Sequence, residues 1–162
     1  KLTISNDQKI ACVTQTTLSL DDTKSIINAI KKKYSHVIEP KKSDICYATT
    51  NRQMAVKKIA SNCDLFIVIG AYNSSNSLRL VEVAKQYGAN NSILIESVDK
   101  FDISLIDDVQ NIGVTASASA PEILVQNFIQ FLKENFIIIV YELEHIKEDI
   151  NFKIPQKLKV AG

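Results

Sequence analysis

The sequence predicts a parallel α/β fold, with sheets flanked by helices, on three observations. Short β-branched runs alternate with amphipathic stretches of helical period. Each run is followed by a cluster of Ser, Thr and Asn. The strongest run, Leu65 to Gly70, is almost wholly apolar, as a parallel strand covered on both faces must be.

The elements follow in order. Lys9 to Thr14 reads as a strand and Asp21 to about Lys33 as a helix. Ser19 and Asp22 have the spacing of a capping box, and Ile26, Ile27 and Ile30 supply the helix's apolar face. A second helix is expected near Asn51, where Thr50 and Gln53 repeat the reciprocal spacing. Leu65 to Gly70 leads through Asn73-Ser74-Ser75-Asn76-Ser77 into a helix from about Leu78 to Tyr87. Ser92 to Ile95 and Ile112 to Thr115 read as further strands. Ser119 and Glu122 form another capping-box spacing, with Pro121 inside the first turn of a helix running to about Asn135. Phe136 to Tyr141 is strongly apolar and reads as a closing strand; a charged stretch then leads to a tail anchored by Phe152, Ile154 and Pro155. A lone βα unit from Lys9 to Lys33 cannot bury both faces of a sheet, so more of that sheet is expected ahead of Lys1.

Composition narrows the function. The chain has 162 residues, 46% hydrophobic and 23% charged, which suits one globular domain or a domain and a half. Nineteen basic residues against eighteen acidic ones, with 7% aromatics, give no electrostatic footprint for nucleic acid. The apolar runs are too short to span a bilayer, and no signal-like segment opens the sequence. Three widely spaced cysteines point to a reducing compartment and individual roles. Only four glycines are present and none are close together, which excludes a dinucleotide fingerprint and a P-loop. His36 and His145 lack the helical spacing of a zinc protease.

In open parallel sheets, ligands bind beyond the carboxyl ends of the strands, where helix N-termini present unpaired amides. Three such junctions here carry hydroxyls and amides: Thr14-Gln15-Thr16-Thr17, Ser74-Ser75-Asn76 and Thr115 to Ser119. Any one of them is explained by helix capping. Three on one sheet edge together form a candidate site for an anion or a polar small molecule. Cys46, just ahead of a helix, is placed where the helix dipole favours a thiolate, although a lone cysteine also packs as a small apolar residue. Cys12 and Cys63 fit the packing role.

Several segments resemble the LytB family, the 4-hydroxy-3-methylbut-2-enyl diphosphate reductases of non-mevalonate isoprenoid synthesis. The resemblance rests on Val13-Thr14-Gln15-Thr16-Thr17-Leu18-Ser19 with Asp21-Asp22-Thr23, and on Asp44-Ile45-Cys46-Tyr47-Ala48-Thr49-Thr50-Asn51-Arg52-Gln53. It extends to Asn73-Ser74-Ser75-Asn76-Ser77-x-Arg79-Leu80-Val81-Glu82-Val83-Ala84 and to Gly113-Val114-Thr115-Ala116-x-Ala118-Ser119-Ala120-Pro121-Glu122. Even Phe152-x-Ile154-Pro155 is similar to the family's closing pattern. The resemblance implies α/β lobes around a 4Fe-4S cluster, each giving one cysteine, with a buried diphosphate between them. Cys46 would be one cluster ligand. Thr16, Ser74, Ser75, Asn76 and Ser119 would hold the substrate, with Gln15 and Thr17 beside them. Electrons would come from a ferredoxin or flavodoxin, and the products would be isopentenyl and dimethylallyl diphosphates.

Two departures accompany the resemblance. Ser117 stands where the family usually has glycine, so a Cβ would interfere if the backbone there needed positive φ. The family's first lobe, its other two cluster cysteines, its phosphate-facing histidines and its proton-relay glutamate have no counterpart here. The chain then reads as residues 1–43 ending a middle lobe, 44–135 forming the last lobe and 136–162 packing on both. Such a fragment is expected to be inactive alone, with the cluster absent or incomplete and no catalytic residue of its own. The compartment implied is the cytoplasm of a bacterium, or a plastid-type organelle. The competing function is an α/β module that binds phosphate or sugar phosphate without metal.

Overall fold

The computed structural model describes residues 4–5, 8–40 and 43–143. The first unit is β1 (Ile10–Ala11), α1 (Leu20–Lys33) and β2 (Val37–Ile38), with Ile10 opposite Val37 in a parallel pair. The strand expected from Lys9 to Thr14 is therefore cut short. Cys12 N–H still donates to the Ile38 carbonyl at 3.0 Å, but Thr14 N–H turns to the Asp44 carboxylate at 2.8 Å, which ends the ladder. Ser19 caps α1 as its spacing predicts, its Oγ accepting from Asp22 N–H at 3.3 Å. The reciprocal half of the box is replaced by contacts from elsewhere. The Asp22 carboxylate faces Arg79, and Leu20 N–H donates to Gln53 Oε1 at 3.2 Å.

Gln53 explains the first boundary error. Its spacing from Thr50 is that of a capping box, yet α2 spans Tyr47–Ile59 with Cys46 as its N-cap, so both residues lie inside the helix. Gln53 is fully buried, and its amide also donates to the Leu18 carbonyl at 2.9 Å. One side chain of α2 thus satisfies the backbone on both sides of the α1 cap.

The second sheet has three parallel strands, β3 (Leu65–Ile69), β4 (Asn91–Ile95) and β5 (Ile112–Ala116), in the order β4-β3-β5. Between them come α3 (Ser75–Gln86) and, after β5, α4 (Glu122–Asn135). Alternation along β3 divides the core in two. Phe66 and Val68 pack with Val56 of α2 and Leu80 and Val83 of α3; Leu65, Ile67 and Ile69 pack with Phe128 and Leu132 of α4. The unbroken apolar run was the sign of this double coverage. Phe101 meets Phe128 edge to face at 5.1 Å, closing the α4 side.

Two helix starts also depart from expectation. Helix α3 begins at Ser75, about a turn before Leu78, because Ser74 takes the cap. Helix α4 begins after Pro121, and no side chain caps it, so the Ser119–Glu122 spacing is not a capping box. Residues 136–143 form no strand, contrary to their apolar pattern. Phe136 and Ile138 pack on the α4 side of the core, while Ile137 and Ile139 face outward. Phe152, Ile154 and Pro155 lie outside the described residues.

Candidate functional site

The loop after β1 and the entry to α2 are joined by their backbones. Cys46 N–H donates to the Thr16 carbonyl at 3.0 Å, and Asp44 holds Thr14. Thr16 itself is exposed at the turn. At the N-cap of α2, Cys46 has extended backbone, and its exposed thiol makes no capping hydrogen bond. The thiol is therefore open at the positive end of a helix. By contrast, Cys63 is buried and donates to the Ile59 carbonyl at 3.2 Å; burial, and then the Asp64 charge beside it, push its pKa up. Cys63 has the packing role its position predicts. Among the described residues, no three His, Cys, Asp or Glu side chains are grouped to hold a metal, so Cys46 is a single potential ligand.

The second junction opens α3. Ser74 Oγ accepts from Ser77 N–H at 3.3 Å, leaving its own proton free to donate. Ser75 is exposed in the first turn. Asn76 is only 6% exposed; its Nδ2 donates to Ser117 Oγ at 3.2 Å, and its Oδ1 has no partner among the described residues. Ser77 Oγ is likewise buried and unpartnered. Gly70, at the end of β3, makes room for this group, because a Cβ there would overlap Ser77 Oγ and come within 2.9 Å of the Ser117 Cβ.

Ser117 belongs to the third junction, after β5. Its N–H donates to the Ile69 carbonyl at 2.8 Å, and its carbonyl accepts from Ala120 N–H at 3.0 Å. No described non-glycine residue has positive φ, so the serine side chain is carried there without backbone strain. Ser119 lies exposed in the same loop and does not cap α4.

One further contact and one cavity adjoin these loops. Arg52, on α2, donates to the Ala116 carbonyl at 2.8 Å, bringing a guanidinium to the end of β5. A cavity of about 200 Å³ lies between Gln15 and Thr17 on one side and Ser75 and Arg79 on the other. Arg79 is already engaged by Glu82 at 2.6 Å and Asp22 at 3.3 Å, which makes Arg52 the cation of greater interest. The three junctions do not share one sheet edge, because the Thr14–Thr17 turn follows β1 of the two-stranded sheet while the other two follow β3 and β5. The structure instead joins Thr16 to Cys46, Ser75 to the Gln15–Thr17 turn and Asn76 to the loop of Ser119. Arg52, Asp44 and the hydroxyl of Ser117 are additions to the expected set. Their partners lie far away in sequence, and no spacing signals such contacts. A larger cavity, about 630 Å³, opens between α1 and Asp44–Ile45; Thr14 and Asp44 line it, but Thr16, Cys46, Ser74, Ser75, Asn76 and Ser119 do not.

Comparison with known proteins gives consistent results. The family model described as LytB protein matches residues 1–133. The 4-hydroxy-3-methylbut-2-enyl diphosphate reductase of Histophilus somni (strain 2336) is 49% identical over 160 residues, covering 99% of this chain and 51% of the relative. The enzyme of the same name from Ehrlichia ruminantium (strain Gardel) is 45% identical over 159 residues, covering 98% and 48%. Among solved structures, the E-1-hydroxy-2-methyl-but-2-enyl-4-diphosphate reductase of Plasmodium falciparum superposes with a TM-score of 0.79 at 39% identity, over 82% of this chain and 42% of that one. The chain spans about half the length of the curated relatives it matches.

Proposed function

The chain belongs to the LytB family, and from that premise we propose that it forms the diphosphate-anchoring part of a 4-hydroxy-3-methylbut-2-enyl diphosphate reductase. The reaction removes the substrate hydroxyl as water, consuming two electrons and two protons, and yields isopentenyl and dimethylallyl diphosphates. The observation that carries the proposal is the buried contact between the second and third junctions, where Asn76 Nδ2 donates to Ser117 Oγ and Asn76 Oδ1 has no partner among the described residues.

Thr16, Ser74, Ser75, Asn76 and Ser119 are assigned to the substrate. Their hydroxyls and amide donate to diphosphate oxygens, helped by the first-turn N–H groups of α3 and by the charge of Arg52. Capping does not compete with this role at Ser74, since the cap uses the oxygen as an acceptor and leaves the proton. Several weak donors together replace the lysine or arginine clamp these loops lack. By orienting the diphosphate they fix the position of the substrate's far end, where the hydroxyl leaves.

Cys46 is assigned as one thiolate ligand of a 4Fe-4S cluster. The exposed, uncommitted thiol at a helix N-terminus fits that role, and the remaining ligands must come from other residues than those described. When bound, the cluster supplies the electrons, received from a ferredoxin or flavodoxin, and the iron that draws off the hydroxyl. In this reading residues 1–43 end one lobe and 44–135 form the next.

A hybrid carrying this chain in place of the matching half of the Histophilus somni relative tests the assignment. It should reduce the substrate. Asn76→Ala in the hybrid should weaken diphosphate binding by roughly ten- to a hundred-fold, the effect of a lost hydrogen bond to a charged group, while the cluster's absorbance persists. Unchanged affinity in Asn76→Ala would overturn the site, and a hybrid that binds phosphate but holds no iron would favour a metal-free phosphate module.

A further inference from the structure

Asn76 and Ser117 form a buried polar pair that helix capping does not explain. Asn76 is 6% exposed and Ser117 1%, and the amide nitrogen donates to the serine hydroxyl at 3.2 Å. The amide oxygen has no partner. Ser117 has little freedom to move: its N–H is tied to the Ile69 carbonyl, its carbonyl to Ala120 N–H, and its Cβ lies against Gly70.

The chemistry of the pair depends on which end of the amide meets the ligand. An amide oxygen turned toward an anion repels it, whereas an amide nitrogen offers two donors. Nitrogen and oxygen are nearly isosteric, so turning the amide over changes no packing. A hydroxyl, unlike a second amide or a carbonyl, can serve either orientation because it both donates and accepts. With the amide turned over, the Ser117 proton satisfies Oδ1, and Nδ2 is released to the anion. Every buried polar atom of the pair then has a partner.

We infer that Ser117 is a positioning residue for the anion: its hydroxyl holds the Asn76 amide oxygen, so that the amide nitrogen donates to phosphate. The inference deepens the proposed function and rests on the assignment of Asn76 to the diphosphate.

Titration of inorganic pyrophosphate into the full 162-residue chain, with the Asn76 side-chain amide followed by nitrogen NMR, tests it. Ser117→Ala should weaken binding about three- to ten-fold, as expected for one hydrogen bond, and should have no further effect when Asn76 is already alanine. The Asn76 amide signals should shift sharply on adding pyrophosphate to the unaltered chain and stay broad in Ser117→Ala. If Ser117→Ala fails to fold, Ser117→Gly removes the same hydroxyl and relieves the contact at Gly70. Equal weakening by Ser117→Ala with and without Asn76 would show that the serine acts on its own and overturn the inference. Weakening by Asn76→Ala but not by Ser117→Ala would also overturn it, leaving the phosphate assignment intact. No effect of Asn76→Ala, or no binding by the unaltered chain, would defeat the phosphate assignment and this inference with it.

Discussion

The backbone N–H of Cys46 donates to the carbonyl of Thr16 at 3.0 Å, so the residue assigned to the cluster and a residue assigned to the diphosphate are held by one hydrogen bond. Neither side chain takes part in it. Both thiol and hydroxyl therefore remain available while the distance between their backbones is set.

That separation of backbone and side-chain roles predicts different outcomes for two cysteines. Cys46→Ser should change thermal stability by less than about 0.5 kcal/mol, as for an exposed position, because the bond to Thr16 survives. In the cluster-bearing hybrid the same change should abolish iron and labile sulfide. Cys63→Ser should keep the cluster and cost about 1 kcal/mol in packing, since Cys63 is buried among Phe66 and Leu80. Full cluster occupancy in Cys46→Ser, measured by iron and sulfide analysis, would remove Cys46 from the ligand set.

Asp21 gives a pH prediction. Lys57 at 2.6 Å, and then Tyr87 through its hydroxyl, hold the Asp21 carboxyl below its ordinary value of 3.8. A lowered folded-state pKa contributes stability that is present above the unfolded value and lost as pH falls through the folded one. The carboxylate is 45% exposed, so solvent screening limits the pair to about 0.5–1 kcal/mol. Asp21→Asn should therefore lower stability by a constant amount between about pH 5 and 8, and the gap should close in the acid range. Urea melts at several pH values measure it; a gap that widens in acid would contradict the assignment. On the lysine side, burial pulls the Lys57 pKa down, but Asp21 and Tyr87 outweigh it and leave the value raised. Its contribution is complete below the ordinary 10.5 and is lost as pH rises through the folded value.

Gly70 leaves the space that Ser77 and Ser117 occupy beside the proposed site. Gly70→Ala would place a Cβ 2.9 Å from that of Ser117 and into the Ser77 hydroxyl, so one of the two must move. Overpacking of this kind costs about 1–3 kcal/mol. Pyrophosphate affinity should fall as well, because Ser117 bonds the Asn76 side chain and Ser77 follows Asn76 directly in α3, so a shift of either disturbs Asn76. Denaturation and calorimetry on the same variant check both effects, and lost stability with unchanged affinity would separate packing from binding.

The parts of the fold legible in the sequence are those governed by local patterning. The run Leu65 to Gly70 announced a strand covered on both faces, and Ser19 announced a helix cap. Capping spacings misled at two helix starts, for different reasons. Gln53, at the right distance from Thr50, is used instead to bind the backbone at Leu18 and Leu20. Glu122 follows Ser119 at the same spacing, yet Pro121 takes the cap. The apolar run Phe136 to Tyr141 turns Phe136 and Ile138 inward, but packing on the core required no strand partner, so the expected strand does not form. In the proposed site, the hydroxyl-rich junctions were visible as clusters of Ser, Thr and Asn ahead of helices, although each residue type is also an ordinary helix cap. Arg52 and the Asn76–Ser117 bond could not, since each joins residues distant in sequence.

The strand order β4-β3-β5 sets a sequence of assembly. Leu65 pairs with Asn91 on one side and with the more distant Ile112 on the other, so the β3-α3-β4 unit closes the shorter loop and β5 must return across it. Residue 117 follows β5 directly, and its partner at 76 waits in the earlier unit. The proposed anion site is therefore predicted to be a late product of folding, absent from any early β3-α3-β4 nucleus however native that nucleus is. In pulse-labelled hydrogen exchange, amides of β3 and β4 should gain protection before those of β5, and pyrophosphate should slow unfolding far more than it speeds refolding.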